Sequence, residues 1–388
     1  MALAAVADFG LTDATRVADV AAARARFGDR APVLVETTLL RRRAAAKLEQ
    51  LCPDFQASNW LFTDEALQQA TAAPVARHRA RRLAAASLPL VHDATCSIGT
   101  ELAALRGWGV RALGSDIDPV RLAMARNNLG STAELCRADA LRPVTRDAVV
   151  VVDPGRRRGG RRRLNPDDYQ PGLAALLNSY RDRNIVVKCA PGIDFDRVRR
   201  FGFDGEIEVT SYRGAVREAC LWPVRLAGPG VRRRASILEE GDQRTQITDT
   251  EPDDCPVRAA GRWIIDPDGA VVRAGLVRHY AARHGLWQLD ADIAYLSGDQ
   301  LPPAVRGFEV IEQLAFDERR LRQALAALDC GALEILVRGV QVDPDALRRR
   351  LRLRGGRPLS AVISRMGSGP ASHAVVFVCR PRDSAQVR

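Results

Sequence analysis

Between Leu88 and Arg163 the chain repeats one pattern, an apolar run closed by an acidic residue, and this repetition limits the possible folds more than any other stretch. Leu90-Val91-His92-Asp93 runs into Ala94-Thr95-Cys96-Ser97-Ile98-Gly99-Thr100. Val110 to Asp118 reads VRALGSDID, Ala138-Asp139-Ala140 follows, and Val149-Val150-Val151-Val152 leads into Asp153-Pro154-Gly155-Arg156. Apolar runs separated by helix-like segments are what parallel strands look like when both faces of their sheet are covered. Acids at the carboxyl ends of such strands line one ligand crevice.

Each strand end has a physical task in such a crevice. Gly99 lets backbone approach a ligand closely where the chain turns into a helix, whose N-terminus offers free N–H groups. Asp116 stands where a carboxylate accepts hydrogen bonds from two ribose hydroxyls, with Ile117 beside it. Asp139, with Ala140, follows the third strand, where an acceptor reaches the exocyclic amine of adenine. Asp93 can pair with an ammonium group directly or through water. Neither G-x-G-x-x-G nor G-x-x-x-x-G-K-[ST] is present, which disfavours a nicotinamide cofactor and a P-loop nucleotide. A lone acid at a strand end is ordinarily a turn or helix-cap residue. The whole series at these intervals points to a nucleotide-like cofactor, and S-adenosylmethionine fits it best.

These residues resemble the class I S-adenosylmethionine-dependent methyltransferases: a D-x-x-x-x-x-G first loop, an acidic end to strand two, A-D-A after strand three and D-P-G-R after strand four. The resemblance implies a Rossmann-like α/β fold in which Asp93, Thr95, Cys96, Gly99, Asp116, Ile117, Asp139 and Ala140 bind the cofactor. Thr95, Ser97 and Thr100 stand where the family favours glycines.

Ahead of the series, residues 1–87 are dominated by Ala, Leu, Arg, Glu and Gln and predict a helical domain punctuated by Pro32, Pro53 and Pro74. Within it Thr63 is a natural helix cap. Leu67-Gln68-Gln69-Ala70-Thr71, lying just before the first strand, is placed either to pack as an amphipathic helix or to lid the site. Residues 88–226 alternate strand and helix, with Asp118 capping a helix from Pro119 to Leu129, a fifth strand at Asn184–Cys189 and a closing hairpin at Glu206–Ser211 and Ala219–Val224. A polar linker opens the part from 227 to 305, which predicts a small ferredoxin-like α+β unit. Residues 306–388 predict a second one, with helices at Asp317–Leu328 and Pro344–Leu353.

This layout is similar to the S-adenosylmethionine-dependent methyltransferases that carry a THUMP-like domain at the C-terminus. The residues carrying that likeness are LQQAT, DPGRR, DPDGAVVRAGL with YLSGD, and LEILVRGVQVDPDALRRRLRLRGG. The resemblance implies an RNA methyltransferase, of tRNA or rRNA, with an RNA-binding C-terminal module. It also implies chemistry at strand four. In methyltransferases of exocyclic amines a D/N-P-P-x tetrad orients the amine toward the methyl carbon. Here the corresponding Asp153, Pro154 and Arg156 are the catalytic candidates, with Gly155 in place of the second proline and Arg156 suited to stack on a base or hold a phosphate.

Arg157, Arg158, Arg161 and Arg162 follow at the rim, and Arg348, Arg349 and Arg352 form a second basic stretch; both are candidates for phosphate contact. The formal net charge of +11 suits a polyanion. Nearly every basic residue is arginine, however, with lysine only at Lys47 and Lys188, so cluster position carries more weight than total charge. Aromatics at 5% leave phosphate contacts to dominate over stacking. The eight cysteines are scattered without C-x-x-C, as expected of reduced thiols in a cytoplasmic protein, and Cys96 reads as packing. His279 and His284 lack a third ligand nearby, so no metal site is expected. Nothing in the sequence predicts a signal peptide or membrane span. A noncatalytic RNA-binding or assembly factor and a methyltransferase with a non-RNA substrate stay open as alternatives, as does the oligomeric state.

Overall fold

The computed structural model describes residues 1–155, 165–303 and 305–381, together with the backbone of 157–158, 161–162 and 382. The chain divides into two compact units, one built from residues 1–232 and 237–245 and the other from 233–236 and 246–388.

The first unit begins with helices α1 (Ala2–Ala7), α2 (Arg16–Phe27), α3 (Ala31–Leu48), α4 (Asp64–Gln69) and α5 (Ala73–Ala85). Strand and helix then alternate: β1 (Val91–Asp93), α6 (Thr100–Gly107), β2 (Ala112–Asp116), α7 (Pro119–Leu129), β3 (Glu134–Arg137) and β4 (Val149–Val152). The short hairpin β5 (Arg157–Arg158) and β6 (Arg161–Arg162) precedes α8 (Leu173–Ser179), β7 (Ile185–Cys189), α9 (Phe195–Arg200), β8 (Gly205–Tyr212) and β9 (Ala215–Pro223). The sheet runs β8-β9-β7-β4-β1-β2-β3 and continues beyond β8 with two more strands, Arg233–Leu238 and then Arg244–Thr248. Parallel pairing joins β7, β4, β1, β2 and β3, while β9 runs antiparallel to β7 and β8 to β9.

The strand order follows from composition. Val149 to Val152 are all buried, which requires helices on both faces, and so does the fully buried β7. The chain order reverses between β1 and β4, the place where an open α/β sheet leaves a crevice beyond its carboxyl ends. Two expected caps form: Thr63 Oγ1 accepts from Ala66 N, and the Asp118 side chain accepts from Val120 N and Arg121 N.

The helices before β1 pack onto this sheet. Asn128 on α7 accepts from Leu61 N at 2.7 Å and donates both to Leu61 O and to Ile98 O at 3.0 Å, tying the segment ahead of α4 to the loop after β1. Helix α5 buries polar groups alongside its apolar residues Ala73, Ala76, Ala80 and Leu83. His78 and Arg79 are buried, and Arg82 makes ion pairs with Glu206 and Glu208 of β8.

Strands β10 (Arg233–Leu238) and β11 (Arg244–Thr248), not foreseen in the polar linker, contribute residues to both units. The second unit continues with β12 (Trp263–Ile265), α10 (Gly269–Arg273), α11 (Val277–His284), β13 (Trp287–Asp290), β14 (Ile293–Gly298), β15 (Gly307–Ala315), α12 (Glu318–Ala327), β16 (Cys330–Arg338), α13 (Pro344–Leu351), β17 (Arg357–Met366) and β18 (His373–Arg382). Its strands form one sheet in the order β13-β14-β12-β15-β18-β17-β16. Because β12 pairs with both β14 and β15, the two α+β patterns of the sequence share a continuous sheet. Leu321 and Leu325 of α12 pack with Leu347 and Leu351 of α13 over Leu333, Ile335 and Leu359. Helix α13 stops two residues earlier than its pattern suggests, with Arg352 at φ 51°; Gly355, packed against the Asp329 backbone, turns the chain into β17. No described helix is long and apolar enough to cross a membrane.

Candidate active site

The loop after β1 is shaped by two residues in the left-handed region, Ser97 (φ 50°) and Gly99 (φ 88°). A Cβ on Gly99 would lie 2.7 Å from Leu129 Cδ1, so only glycine brings the chain into α6 here. Asp93 is buried and its Oδ1 accepts from Thr95 N at 3.2 Å. Thr95 Oγ1 in turn accepts from Asp153 N at 2.7 Å, tying the first loop to the end of β4.

Asp116, at the end of β2, accepts from Ser97 N and from Asp118 N, each at 2.9 Å. A carboxylate oxygen carries two lone pairs, so these bonds orient the group and leave it able to accept more. Ile117 next to it is an exposed apolar side chain at 62%. Asp139 Oδ1 accepts from Leu141 N at 2.9 Å, and Ala140 O accepts from the Tyr180 hydroxyl at 2.9 Å.

These elements enclose a cleft of about 450 Å³ lined by Asp93, Thr95, Cys96, Asp116, Ile117, Asp139, Ala140 and Asp153. A volume in the range of about 300–1,000 Å³ is typical of small-molecule sites. Gly99 shapes the loop without lining the cleft, and Pro154 is buried behind Gly155, which does line it. The four carboxylates expected to meet thus share one cavity. Glu65, Gln69, Ala70 and Thr71, from α4 and the turn into α5, line it as well.

Arg156 and the side chains of Arg157, Arg158, Arg161 and Arg162 lie outside the described residues; the backbone of the last four pairs as the β5–β6 hairpin. Arg348, Arg349 and Arg352 belong to the other unit and are exposed, Arg348 being bonded to Leu333 O and Asp345. Cys96 is buried, and burial, with Asp93 and Asp116 adding, pushes its thiol well up, as befits a packing residue. Among the described residues no group of three or more His, Cys, Asp or Glu could hold a metal ion.

Sequence reasoning missed a set of buried charges, two of which, Glu101 and Lys188, line the cleft. Lys188, at the end of β7, lies 2.6 Å from Asp153 Oδ2 and 3.9 Å from Glu101 Oε2. Glu101, in the first turn of α6, accepts from Arg79 at 2.7 and 2.9 Å, and Arg79 also pairs with Glu218 of β9. Burial, then Glu101, pushes the Asp93 carboxyl up to about 8 against the pull of Lys188. One signal was available: a lysine inside the apolar run Ile185-Val186-Val187-Lys188-Cys189, in a chain with only two.

Residues 305–381 match the family model described as THUMP domain-like. Two proteins of Mycobacterium tuberculosis, from strains CDC 1551 and H37Rv, are 75% identical over 361 residues, covering 92% of this chain and 99% of their own; both are described as uncharacterised S-adenosylmethionine-dependent methyltransferases. Among solved structures, that of a candidate methyltransferase from Porphyromonas gingivalis W83 superposes with a TM-score of 0.71 at 19% identity, covering 92% of this chain and 91% of that one.

Proposed function

Because the chain belongs to the S-adenosylmethionine-dependent methyltransferases that end in a THUMP-like domain, we propose that it methylates a base nitrogen of structured RNA, tRNA or rRNA, in the cytoplasm. S-adenosylmethionine is its cofactor and supplies, when bound, a methyl group on a sulfonium sulfur. The residues present fit it: a glycine-shaped loop, a buried carboxylate after β2, an exposed apolar neighbour and an acid after β3 surround one cleft. In this reading Asp116 holds the ribose hydroxyls, Ile117 and Ala140 face the adenine with Asp139 toward its amine, and Asp93 faces the cofactor's ammonium.

The observation that carries the reading is Asp153 at the mouth of the same cleft, its backbone fixed by Thr95 and its carboxylate by Lys188. A carboxylate there accepts a hydrogen bond from a base amine and aims the nitrogen lone pair at the methyl carbon. S-adenosylmethionine, when bound, would supply the electrophilic methyl group, and Asp153 would receive the proton that the methylated amine gives up and pass it to water. Arginines 156–158 and 161–162 follow directly in sequence, where phosphate capture would hold an RNA strand at the rim. The THUMP-like part docks the RNA.

The test is mass spectrometry of nucleosides from the tRNA and rRNA of a strain lacking the gene. One methylated base should be missing there and should reappear when purified protein and cofactor are added to that RNA. A full set of methylated bases in the deletion strain, with no methyl transfer to its RNA in vitro, would overturn the RNA reading.

A further inference from the structure

We propose that Lys188 is a positioning residue for methyl transfer, pairing with the Asp153 carboxylate and aiming it at the acceptor. The inference deepens the reading above, since it takes Asp153 as the group that faces the acceptor. Lys188 does not touch the reacting atoms; it acts through Asp153.

The arrangement is more than a surface ion pair. The Lys188 side chain is 8% exposed, the residue lines the cleft, and its ammonium is 2.6 Å from Asp153 Oδ2. A fully buried ammonium is ordinarily driven toward neutrality. Here burial does lower the Lys188 value, but Asp153, and further off Glu101 and Glu218, more than reverse this against the repulsion of Arg79, and the net shift is upward. The ion pair with Asp153 thus favours the charged ammonium against its burial.

Several charged groups among the described residues around the Asp153 carboxylate bear on this. Glu101 from α6 pushes against its charge, as does Asp93 from β1 once it ionises above about pH 8; Glu218 and the Cys220 thiol from β9 belong to the same cluster, and Arg79 from α5 offsets Glu101 and Glu218. Lys188 lies within hydrogen-bond reach of Asp153 Oδ2. A nitrogen that takes a methyl group becomes positive before it loses its proton. A carboxylate paired with an ammonium, and fixed in direction by it, stabilises that charge and receives that proton.

The two-lysine composition makes a direct test possible. Protein carrying ¹³Cε-labelled lysine gives two resonances, and Lys47→Arg assigns them. We expect the Lys188 signal to move in one acid-range step as the carboxylate beside it protonates, and to lose that step in Asp153→Asn. An unchanged Lys188 signal in Asp153→Asn would overturn the inference, whether or not the acceptor is RNA. With the deletion strain's RNA as acceptor, Lys188→Met should keep cofactor affinity within about threefold while turnover falls about 100-fold. The acid limb of its pH–rate profile should move to higher pH, and Lys188→Arg should recover most of the rate. Equal losses of cofactor binding and turnover in Lys188→Met, with an unmoved pH profile, would make the lysine merely structural. If the wild-type protein methylates no RNA, the RNA reading fails and the lysine resonances alone decide the role of Lys188.

Discussion

Asp93 carries the sharpest electrostatic conflict in the first unit. Burial and then Glu101 lift its carboxyl from 3.8 to about 8. Between those values the folded protein holds a proton that the unfolded chain has given up. Its contribution to stability is therefore fully present below the unfolded value and is lost as pH rises through about 8. Asp93→Asn should flatten that decline in the cofactor-free protein, as read from urea midpoints between pH 4 and 9. Cofactor binding has the opposite slope, since an ammonium group facing Asp93 favours the ionised form, and affinity should strengthen toward pH 8. Asp116→Ala should abolish cofactor binding by calorimetry, while Asp153→Ala should spare it and stop turnover. The acids themselves were legible in the sequence because each closes an apolar run. Their counter-charges were not, because Arg79, Glu101, Lys188 and Glu218 come from four separate elements and no local pattern joins them.

Helix α5 shows the same limit at the level of an element. Its segment Arg77-His78-Arg79-Ala80-Arg81-Arg82 is strongly basic, yet His78, Arg79 and Arg82 meet Glu208, Glu101, Glu218 and Glu206 beneath it. On β8 the acids Glu206 and Glu208 alternate onto one face, as a strand requires. Removing one member of such a buried set strands the others, at a cost of about 3–5 kcal/mol. Arg79→Met should lower the unfolding free energy by about that amount in denaturant titrations, because Glu101 and Glu218 are left buried without their cation. The central strands β1, β4 and β7, by contrast, were readable as continuous apolar runs, while β10 and β11, in the stretch read as a polar linker, were not.

For the whole molecule, the α/β core and the C-terminal α+β pattern were both foreseeable, while the sheet shared by residues 263–298 and 307–382 was not. The pairing of β12 with β15 is a long-range choice that neither segment announces. The net charge of +11 gives its own expectation. If RNA binds, its affinity should fall steeply with salt, and Arg349→Gln with Arg352→Gln should lower the slope of log affinity against log salt by about 2, measured by fluorescence anisotropy. An unchanged slope would remove that stretch of unit two from the RNA track.

Asn128 gives the molecule an unexpected point of vulnerability. One carboxamide fastens both the strand of chain that enters the roof and the loop that forms the floor, so a replacement there would slacken two walls together. A screen reading only ligand affinity would score this remote position as part of the binding surface, although it touches nothing that binds.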